Sequence, residues 1–404
     1  MLAESGKVGT VGTTATATAR ATKAVYAVFI LCGFAFASWA SRIPSVRDVL
    51  QLSPSSLGLV LLSIAAGSVL SMPLSGVVVH RIGTARTVGA MSLVAAVGLA
   101  TVGLGQQAGV VPVVVGLFAL GVGNGTWDVA MNVEGSAVEQ AGGKAIMPRF
   151  HAGFSVGTVA GALLGAAIIA IGVSASVHLL AVAVIVAAVG QIAVRDFLPD
   201  PQDAGGGERR SPLVAWTEPR TLLIGLFVFA AAFTEGTGND WLAVATIDGY
   251  SVSPAVGTLT FALFLSAMTL GRWFGPGLIE RYGRVGTLRL FGLLALVGLA
   301  LIIWSPVFAI AMAGAVLWGL GAALGFPVGM SAAGDEPEHA AARVSVVATI
   351  GYVAFLAGPP LIGFLGEHTG TLRALTLTCG LVAIGLLISG VLRAPSRAAQ
   401  SGPK

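Results

Sequence analysis

The sequence predicts an all-α polytopic membrane protein with twelve transmembrane helices in two pseudo-symmetric six-helix bundles. Three observations lead to this class: little charge, a succession of long apolar runs, and a repeat between the two halves of the chain. Of the 404 residues, 55% are hydrophobic and only 10% are charged, whereas soluble domains carry about 25% charge. Such a chain cannot hide its apolar surface in a globule that faces water, so we expect it to lie in a lipid bilayer.

The apolar runs define the expected spans, because a helix needs about 20 mainly apolar residues to cross a bilayer. Twelve runs have about this length, with approximate bounds 22–41, 56–79, 87–105, 110–138, 150–172, 175–194, 220–246, 254–279, 288–304, 307–332, 343–365 and 372–392. We therefore predict five parts: a disordered cytoplasmic tail over 1–21, a first bundle over 22–194, a cytoplasmic linker over 195–219, a second bundle over 220–392, and a tail over 393–404.

The basic residues are distributed unevenly between alternate connections. If the N-terminus lies inside, 18 of the 22 Lys and Arg residues fall in inner segments, three fall in outer segments, and Arg272 falls within a span. Because cytoplasmic loops are enriched in Lys and Arg, we expect both termini and the linker in the cytoplasm and the chain in a bacterial inner membrane. This topology explains the basic excess, which therefore does not indicate nucleic-acid binding.

The two halves repeat at an offset of 200 residues. The matched segments, with the first-half member given first, are Ser53-Pro54 with Ser253-Pro254, His80-Arg81-Ile82-Gly83 with Glu280-Arg281-Tyr282-Gly283, and Gly121 and Gly125 with Gly321 and Gly325. Two parallel six-helix repeats are a plan used by transporters, in which the substrate binds near the middle of the membrane between the repeats.

The fourth predicted span carries a polar face. Asn124, Asp128 and Asn132 follow one another at intervals of four residues, which places them on one side of a helix. Two amides and a carboxylate suit a polar solute, and a carboxylate inside a membrane is by default a functional candidate. The alternative is hydrogen bonding that only holds helices together. Trp127 projects from another side, where it either stacks on a ligand or packs between helices.

The seventh predicted span carries a second polar face. Glu235 lies about mid-span and Asn239 lies one turn further out on the same side. Because loss of water disfavours a charged carboxylate, we expect Glu235 to carry a proton or bind substrate, unless it is a paired structural acid. We expect Asp128 to serve solute binding more than coupling. Asp240 lies closer to the outer surface, where it is either a solvated residue or part of a gate.

Both ends of the membrane carry candidate gating residues. At the outer end of the first span, Trp39 is a candidate substrate contact and Arg42 a candidate partner of Asp240, although interfacial anchoring is an alternative for both. At the inner end, a possible gate consists of Glu139, Arg149 and His151. For this inner group, and for Asp335, Glu336, Glu338, His339 and Arg343 in the corresponding loop of the second half, solvated ion pairs are the simpler interpretation.

The fifth span contains a stripe of glycines at intervals of four residues, namely Gly153, Gly157, Gly161 and Gly165. Small residues at this spacing permit close helix packing in membranes. We expect the stripe to lie at the seam between the halves and to let them move.

Two loops resemble the cytoplasmic signature of the major facilitator superfamily. The first copy contains Gly76, Arg81, Gly83 and Arg86, and the second contains Gly271, Arg272, Arg281 and Gly283. The acidic residue usual before the arginine is His80 in the first copy, whereas the second has Glu280. Further motifs resemble the YbjJ/MosC branch of bacterial inner-membrane proteins, namely Ser38–Pro44, Val133-Glu134-Gly135 with Pro148…His151, Glu235-Gly236…Asn239-Asp240-Trp241, Leu317–Gly321 with Gly325-Phe326-Pro327, Arg343–Thr349 and Gly358-Pro359-Pro360.

Together with the polar face of the fourth span, the resemblance leads us to expect a secondary active transporter of a small polar solute, sugar-like or a related metabolite, that works by alternating access and is driven by protons. The resemblance itself supplies no firm substrate. The main alternative is a proton-driven efflux transporter for drugs or metabolites, and weaker ones are an uncoupled facilitator and a transporter-like sensor. The chain lacks the phosphate-binding sequence Gly-x-x-x-x-Gly-Lys-Ser/Thr, so direct ATP drive is not expected. We expect no enzymatic activity, no cofactor, no metal and no nucleic-acid partner, and we expect a monomer.

Overall fold

The computed structural model describes residues 5–143, 146–199, 212–336 and 339–394. These residues form fourteen α-helices and short 3-10 turns, and the described part of the chain contains no strand. The helices are α1 (Ser5–Ala40), α2 (Ile43–Leu50), α3 (Pro54–Ile82), α4 (Thr84–Gly105), α5 (Val110–Gly142), α6 (Met147–Ala170), α7 (Ala175–Ala193), α8 (Pro219–Tyr250), α9 (Pro254–Trp304), α10 (Phe308–Ala322), α11 (Gly325–Ala333), α12 (Ala340–Thr369), α13 (Thr371–Ala374) and α14 (Thr376–Ile388).

The described residues contain eleven helical segments long and apolar enough to cross a membrane. One of them, α9, is 51 residues long and contains non-helical backbone at Gly283, with φ 75° and ψ 163°. Because a helix of 51 residues is far longer than one bilayer requires, α9 supplies two of the predicted spans and turns at this glycine. The all-α fold with twelve spans is therefore confirmed.

The first helix begins earlier than the sequence predicted. We expected a disordered tail over 1–21, whereas α1 is continuous from Ser5 to Ala40. Residues 5–21 contain no proline, so the backbone hydrogen bonds of the first span can continue toward the N-terminus. The remaining parts of the predicted tails and of the linker lie outside the described residues.

Unit 1 comprises Met1–Leu52 and Ser63–Ala204. In it α1 packs against α6, and α4 packs against α5 and α7. The glycine stripe of α6 lies against α1: Gly157 faces the carbonyl group of Ile30, and an added Cβ at Gly161 would lie 2.8 Å from the carbonyl oxygen of Phe34. The expectation that this stripe forms a seam between the halves is therefore wrong for these contacts, which hold α1 and α6 together inside unit 1.

Unit 2 comprises Ser53–Leu62 and Gly205–Lys404. Here α8 packs against α12, and α9 packs against α10. The first turns of α3 belong to this unit because Gly58 lies against Pro359 of α12, where an added Cβ would be 2.5 Å from the proline carbonyl oxygen. The contact units therefore differ from the predicted bundles at residues 53–62.

The internal repeat is present, but its register changes within the chain. Gly83 and Gly283 both have positive φ, 83° and 75°, in agreement with the offset of 200. In α5, however, Gly121 packs on the carbonyl group of Ile64, and the glycine that packs on the equivalent Phe264 is Gly319. The match of Gly121 with Gly321 is therefore two residues out of register, because the close contact with Ile64 or Phe264 defines the equivalent position.

Candidate functional site

In unit 1 the polar face of α5 brings Asp128 and Asn132 together. The Asn132 side-chain amide donates to the Asp128 backbone carbonyl at 2.8 Å and to Asp128 Oδ1 at 3.3 Å. Asp128 is half-buried and interacts electrostatically with the Cys32 thiol of α1. Asn124 lies one turn earlier, and its Oδ1 is buried without a hydrogen-bond partner among the described residues. The face therefore offers an open amide beside a carboxylate that no described basic side chain neutralises.

In unit 2 the mid-span acid of α8 forms an ion pair. Glu235 Oε1 accepts from Arg272 Nη2 of α9 at 2.8 Å, and the two side chains are 16% and 28% exposed. Arg272 Nε also donates to the carbonyl oxygen of Ala323 at 3.3 Å, in the break between α10 and α11. This geometry corresponds to the alternative of a paired acid, and its basic partner Arg272 lies within α9, in a segment that the sequence predicted as a span.

The two other polar residues of α8 make no comparable contact. Asn239 is half-buried and its Oδ1 has no partner. Asp240 is also half-buried, and no hydrogen bond or ion pair joins it to another described residue. A cavity of unit 2 between α8, α9, α10 and α14 is lined mainly by apolar residues and does not include these two side chains.

The aromatic and basic candidates at the end of α1 are buried. Trp39 and Arg42 are each 2% exposed, and Trp127 of α5 is fully buried. Arg42 Nε donates to His178 Nδ1 of α7 at 2.8 Å, so its observed partner is His178 where the sequence suggested Asp240. Because the two tryptophans lie in the core of unit 1, this structure favours the helix-packing interpretation for them.

The candidate inner gate of unit 1 consists of Glu139, Arg149 and His151, and each of these side chains has different surroundings. Glu139 Oε2 accepts the backbone N–H groups of Ile146 and Met147, both at 2.7 Å, and so caps the start of α6. The His151 ring meets the edge of Phe29 at a centroid distance of 5.3 Å, and Arg149 is exposed. Among the described residues, therefore, Glu139 and Arg149 do not form an ion pair with each other. Lys144 lies outside this part of the chain.

In the two signature loops, glycines form backbone turns, and several of the arginines are exposed. Gly83 and Gly283 occupy the positive-φ region, which glycine enters without steric cost. Gly76 has open space around it, and Gly271 packs closely on Ala323. The arginines of these loops are exposed at the chain surface, namely Arg81, Arg86 and Arg281, the last stacked over Tyr282 at 5.3 Å.

Sequence reasoning missed the role of Glu134. This carboxylate is 2% exposed; its Oε2 accepts from Thr84 Oγ1 at 2.7 Å and its Oε1 accepts the backbone N–H of Leu198 at 2.7 Å. It therefore joins α5 to the start of α4 and to the chain after α7. Its motif Val133-Glu134-Gly135 was recognised only as a family resemblance, since a single acid near a helix end gives no signal of its distant partners.

Unit 2 has an ionic network at its predicted inner end. Asp335 accepts from Arg284 at 2.6 Å and from Arg220 at 3.2 Å, and Arg343 bonds Glu218 at 2.6 Å. The hydrogen bond from Arg343 is the main cause that holds the pKa of Glu218 below its usual range. Asp335, for which the sequence favoured a solvated ion pair, thus takes part in two defined ion pairs. Glu338 lies outside the described residues.

The twelve-span α-helical fold, with polar side chains placed inside both units, defines a polytopic membrane transport protein. The model of the Major Facilitator Superfamily matches residues 24–335 and 241–404. The chain belongs to this superfamily of transporters.

Two curated relatives support this assignment. An uncharacterized MFS-type transporter of Yersinia pestis is 32% identical over 372 residues, which cover 91% of this chain and 94% of the relative. The membrane protein MosC of Rhizobium meliloti is 30% identical over 365 residues, which cover 89% of this chain and 86% of MosC. The resemblance to the MosC branch is therefore confirmed.

Solved structures show the same fold at low sequence identity. The nucleoside transporter NupG aligns with a TM-score of 0.73 at 14% identity, covering 95% of this chain and 99% of NupG. A bacterial homolog of the human lysosomal transporter Spinster, in an inward-facing and unoccupied conformation, aligns with a TM-score of 0.72 at 13% identity, covering 93% of this chain and 98% of that protein.

Proposed function

We propose that this chain is a secondary active transporter of a small polar solute, sugar-like or a related metabolite, that works by alternating access and is coupled to protons. We place it in a bacterial inner membrane with both termini in the cytoplasm, on the basis of the Lys and Arg distribution. Membership of the superfamily supports transport, and the polar face of α5 supports a polar solute.

The observation that carries the proposal is the arrangement of Asn124, Asp128 and Asn132. Asn124 Oδ1 is buried without a described partner, and an unpaired buried polar atom costs free energy that a ligand hydrogen bond recovers. Asp128 receives one side-chain hydrogen bond, from Asn132 at 3.3 Å. A solute with hydroxyl or amino groups can donate to both oxygens, so these residues form the proposed solute site of unit 1.

The same geometry supports Asp128 as the site of the exchanging proton in our proposal. An ionised carboxylate in a membrane helix is costly without a cation or water, and no described Lys or Arg pairs with Asp128. Glu235, in contrast, is already ion-paired with the Arg272 guanidinium at 2.8 Å. We therefore give Asp128 the proton-carrying role that the sequence favoured for Glu235, and we give the Glu235–Arg272 pair a positioning role between α8, α9 and the α10–α11 break.

The solute site is tested by a ligand screen on the purified protein. A bound ligand raises the thermal midpoint by mass action, so sugars, polyols, nucleosides and amino acids are compared with drug-like cations. We expect a polar hit whose affinity falls at least about tenfold in Asn124→Ala, since a buried amide contact contributes about 1.4 kcal/mol. Gln140→Ala removes an exposed amide from the end of the same helix and should leave the affinity unchanged.

The proton role is tested with the same ligand. Asparagine resembles the protonated acid, so Asp128→Asn should bind the ligand with an affinity that does not depend on pH, whereas the wild-type affinity should fall as the pH rises. A hit restricted to apolar cations that is insensitive to Asn124→Ala would contradict the polar-solute proposal and favour efflux of drugs.

A further inference from the structure

The cavity between α8, α9, α10 and α14 of unit 2 has an apolar lining. Its empty space is about 460 Å³, including the part at its open side. Thr234 is the one lining residue with a polar side chain, and its hydroxyl donates to the Ala230 carbonyl oxygen at 2.6 Å. No polar side chain of the lining therefore needs a ligand partner. Because apolar cavities hold hydrocarbon more readily than water, this space suits an apolar chain.

Exposed apolar side chains flank this cavity. Leu293 follows the lining residue Gly292 on α9 and is 54% exposed, and Leu387 follows the lining residue Leu386 on α14 and is 83% exposed. Large exposed apolar side chains on a membrane protein mark surface that contacts lipid. We therefore place the cavity beside the surface that α9 and α14 present to the acyl chains of the bilayer.

A basic side chain joins α9 and α14 at one end of the cavity. Arg289 directly follows the lining residue Leu288, and its Nε donates to Ser389 Oγ at 3.1 Å. Ser389 lies one turn beyond the lining residue Leu386 of α14. Among the described residues, no ion pair joins Arg289 to an acid, and its two Nη groups have no hydrogen-bond partner. These groups are therefore open to an anion at the end of the cavity.

Other arginines at this end of unit 2 already have acidic partners. Arg220 and Arg284 pair with Asp335 at 3.2 Å and 2.6 Å. Arg289 is exposed and keeps its charge, and Arg393, shortly after α14, is also exposed. The Lys and Arg distribution assigns this end to the cytoplasmic side, where basic residues beside apolar surface attract anionic lipid headgroups.

We propose that this cavity and Arg289 form a binding site for an anionic phospholipid of the inner leaflet. The lipid phosphate accepts hydrogen bonds from the Arg289 Nη groups, and one acyl chain enters the cavity between α9 and α14. The unpaired positive charge selects a headgroup with net negative charge, and the apolar lining stabilises the chain. The site lies within unit 2 and does not depend on the proposed solute site at Asp128.

The site is tested by thermal unfolding of the purified full chain in micelles of an uncharged detergent. Phosphatidylglycerol and phosphatidylcholine with identical acyl chains are titrated in parallel, and glycerol 3-phosphate serves as the soluble headgroup. We expect phosphatidylglycerol to raise the midpoint by roughly 2 °C for each tenfold increase above its dissociation constant. Phosphatidylcholine should need about fivefold more lipid for the same rise, since the headgroup charge is lost. Glycerol 3-phosphate should have no effect.

Two pairs of variants separate the headgroup from the chain. Arg289→Gln should weaken phosphatidylglycerol binding about fivefold, whereas Arg281→Gln, at another exposed arginine of α9, should not. Gly385→Leu should fill the cavity and abolish the lipid effect, because Gly385 lines it and an added Cβ would lie at a normal 3.7 Å from Ala230 Cβ. Gly380→Leu adds the same side chain to open space on α14 and should retain the effect.

Native mass spectrometry counts the bound lipids directly and gives a second measurement if Gly385→Leu does not fold. We expect the wild-type protein to retain phosphatidylglycerol and Arg289→Gln to retain less. The proposal is overturned if phosphatidylglycerol and phosphatidylcholine raise the midpoint equally at every concentration, or if glycerol 3-phosphate alone reproduces the rise. It is also overturned if either folded Arg289→Gln or folded Gly385→Leu keeps the full effect of phosphatidylglycerol.

Discussion

The contact between α1 and α6 gives a quantitative prediction for Gly157→Ala. A Cβ added at Gly157 would meet the backbone carbonyl group of Ile30, with the carbonyl carbon at 2.8 Å and the Phe34 nitrogen at 3.0 Å. These are backbone atoms, which cannot rotate away, so the two helices must separate. Overpacking of this kind costs about 1–3 kcal/mol, and each kcal/mol lowers a midpoint by about 2–4 °C in domains of this size.

Gly380→Ala is the matched control, since Gly380 also lies inside a helix but has no atom within 4 Å of an added Cβ. There the substitution should be neutral or stabilise by about 0.5–1 kcal/mol through the lower backbone entropy of alanine. Thermal unfolding followed by tryptophan fluorescence measures both variants. We expect Gly157→Ala to unfold roughly 2–12 °C below the wild type, and Gly380→Ala to match or exceed it.

A second substitution, at the residue that the added Cβ meets, distinguishes a contact with backbone atoms from a contact with a side chain. Because Gly157 meets the backbone of Ile30, Ile30→Ala should not restore the stability of Gly157→Ala. In unit 2, Gly238 faces the ring end of Phe264, so Phe264→Leu should restore much of the stability lost in Gly238→Ala. An unchanged midpoint in Gly157→Ala, or full rescue by Ile30→Ala, would refute close backbone packing of α1 on α6.

Three further predictions concern the inner side of the chain. Glu134→Gln should lower the thermal midpoint by the equivalent of about 1–3 kcal/mol, because one of the donors, such as the Leu198 N–H, then lacks a charged acceptor. An unchanged midpoint would show that the buried carboxylate is dispensable. Arg343 holds the pKa of Glu218 low, so this ion pair stabilises the folded protein at neutral pH. That stabilisation is lost as the pH falls through the low folded-state pKa. Glu218→Gln should therefore flatten the acid limb of a stability–pH profile, and a profile identical to the wild type would argue against this role. A cysteine at Ser211 should resist impermeant thiol reagents in intact cells, and labelling from outside would reverse the proposed topology.

Much of the fold follows from the sequence because hydropathy and charge report directly on membrane spans. The predicted number of spans also holds for α9, which is one element of 51 residues that turns at Gly283. Because this length exceeds what one bilayer requires, α9 accounts for two of the predicted spans. Register was less predictable. The match of Gly121 with Gly321 failed by two residues because identity of residue type cannot show which glycine meets Ile64 or Phe264.

The candidate site was predictable only where partners lie one helical turn apart. Asp128 and Asn132 are four residues apart on one helix, so their contact follows from helix geometry. The partner of Glu235 lies on another helix, 37 residues away in sequence, and that of Arg42 lies 136 residues away. Composition and spacing carry no information on such tertiary contacts, which depend on how the helices rotate and pack.

The most direct test of the central claim is solute accumulation in proteoliposomes with an imposed pH gradient, using the ligand found in the screen. We expect the wild-type protein to move the solute against its gradient when a proton gradient is present and to exchange solute for solute when it is absent. Asp128→Asn should retain exchange and lose gradient-driven accumulation, because it removes only the group to which we give the proton. Accumulation by Asp128→Asn at the wild-type level, or no response of the wild type to the pH gradient, would contradict proton coupling at Asp128.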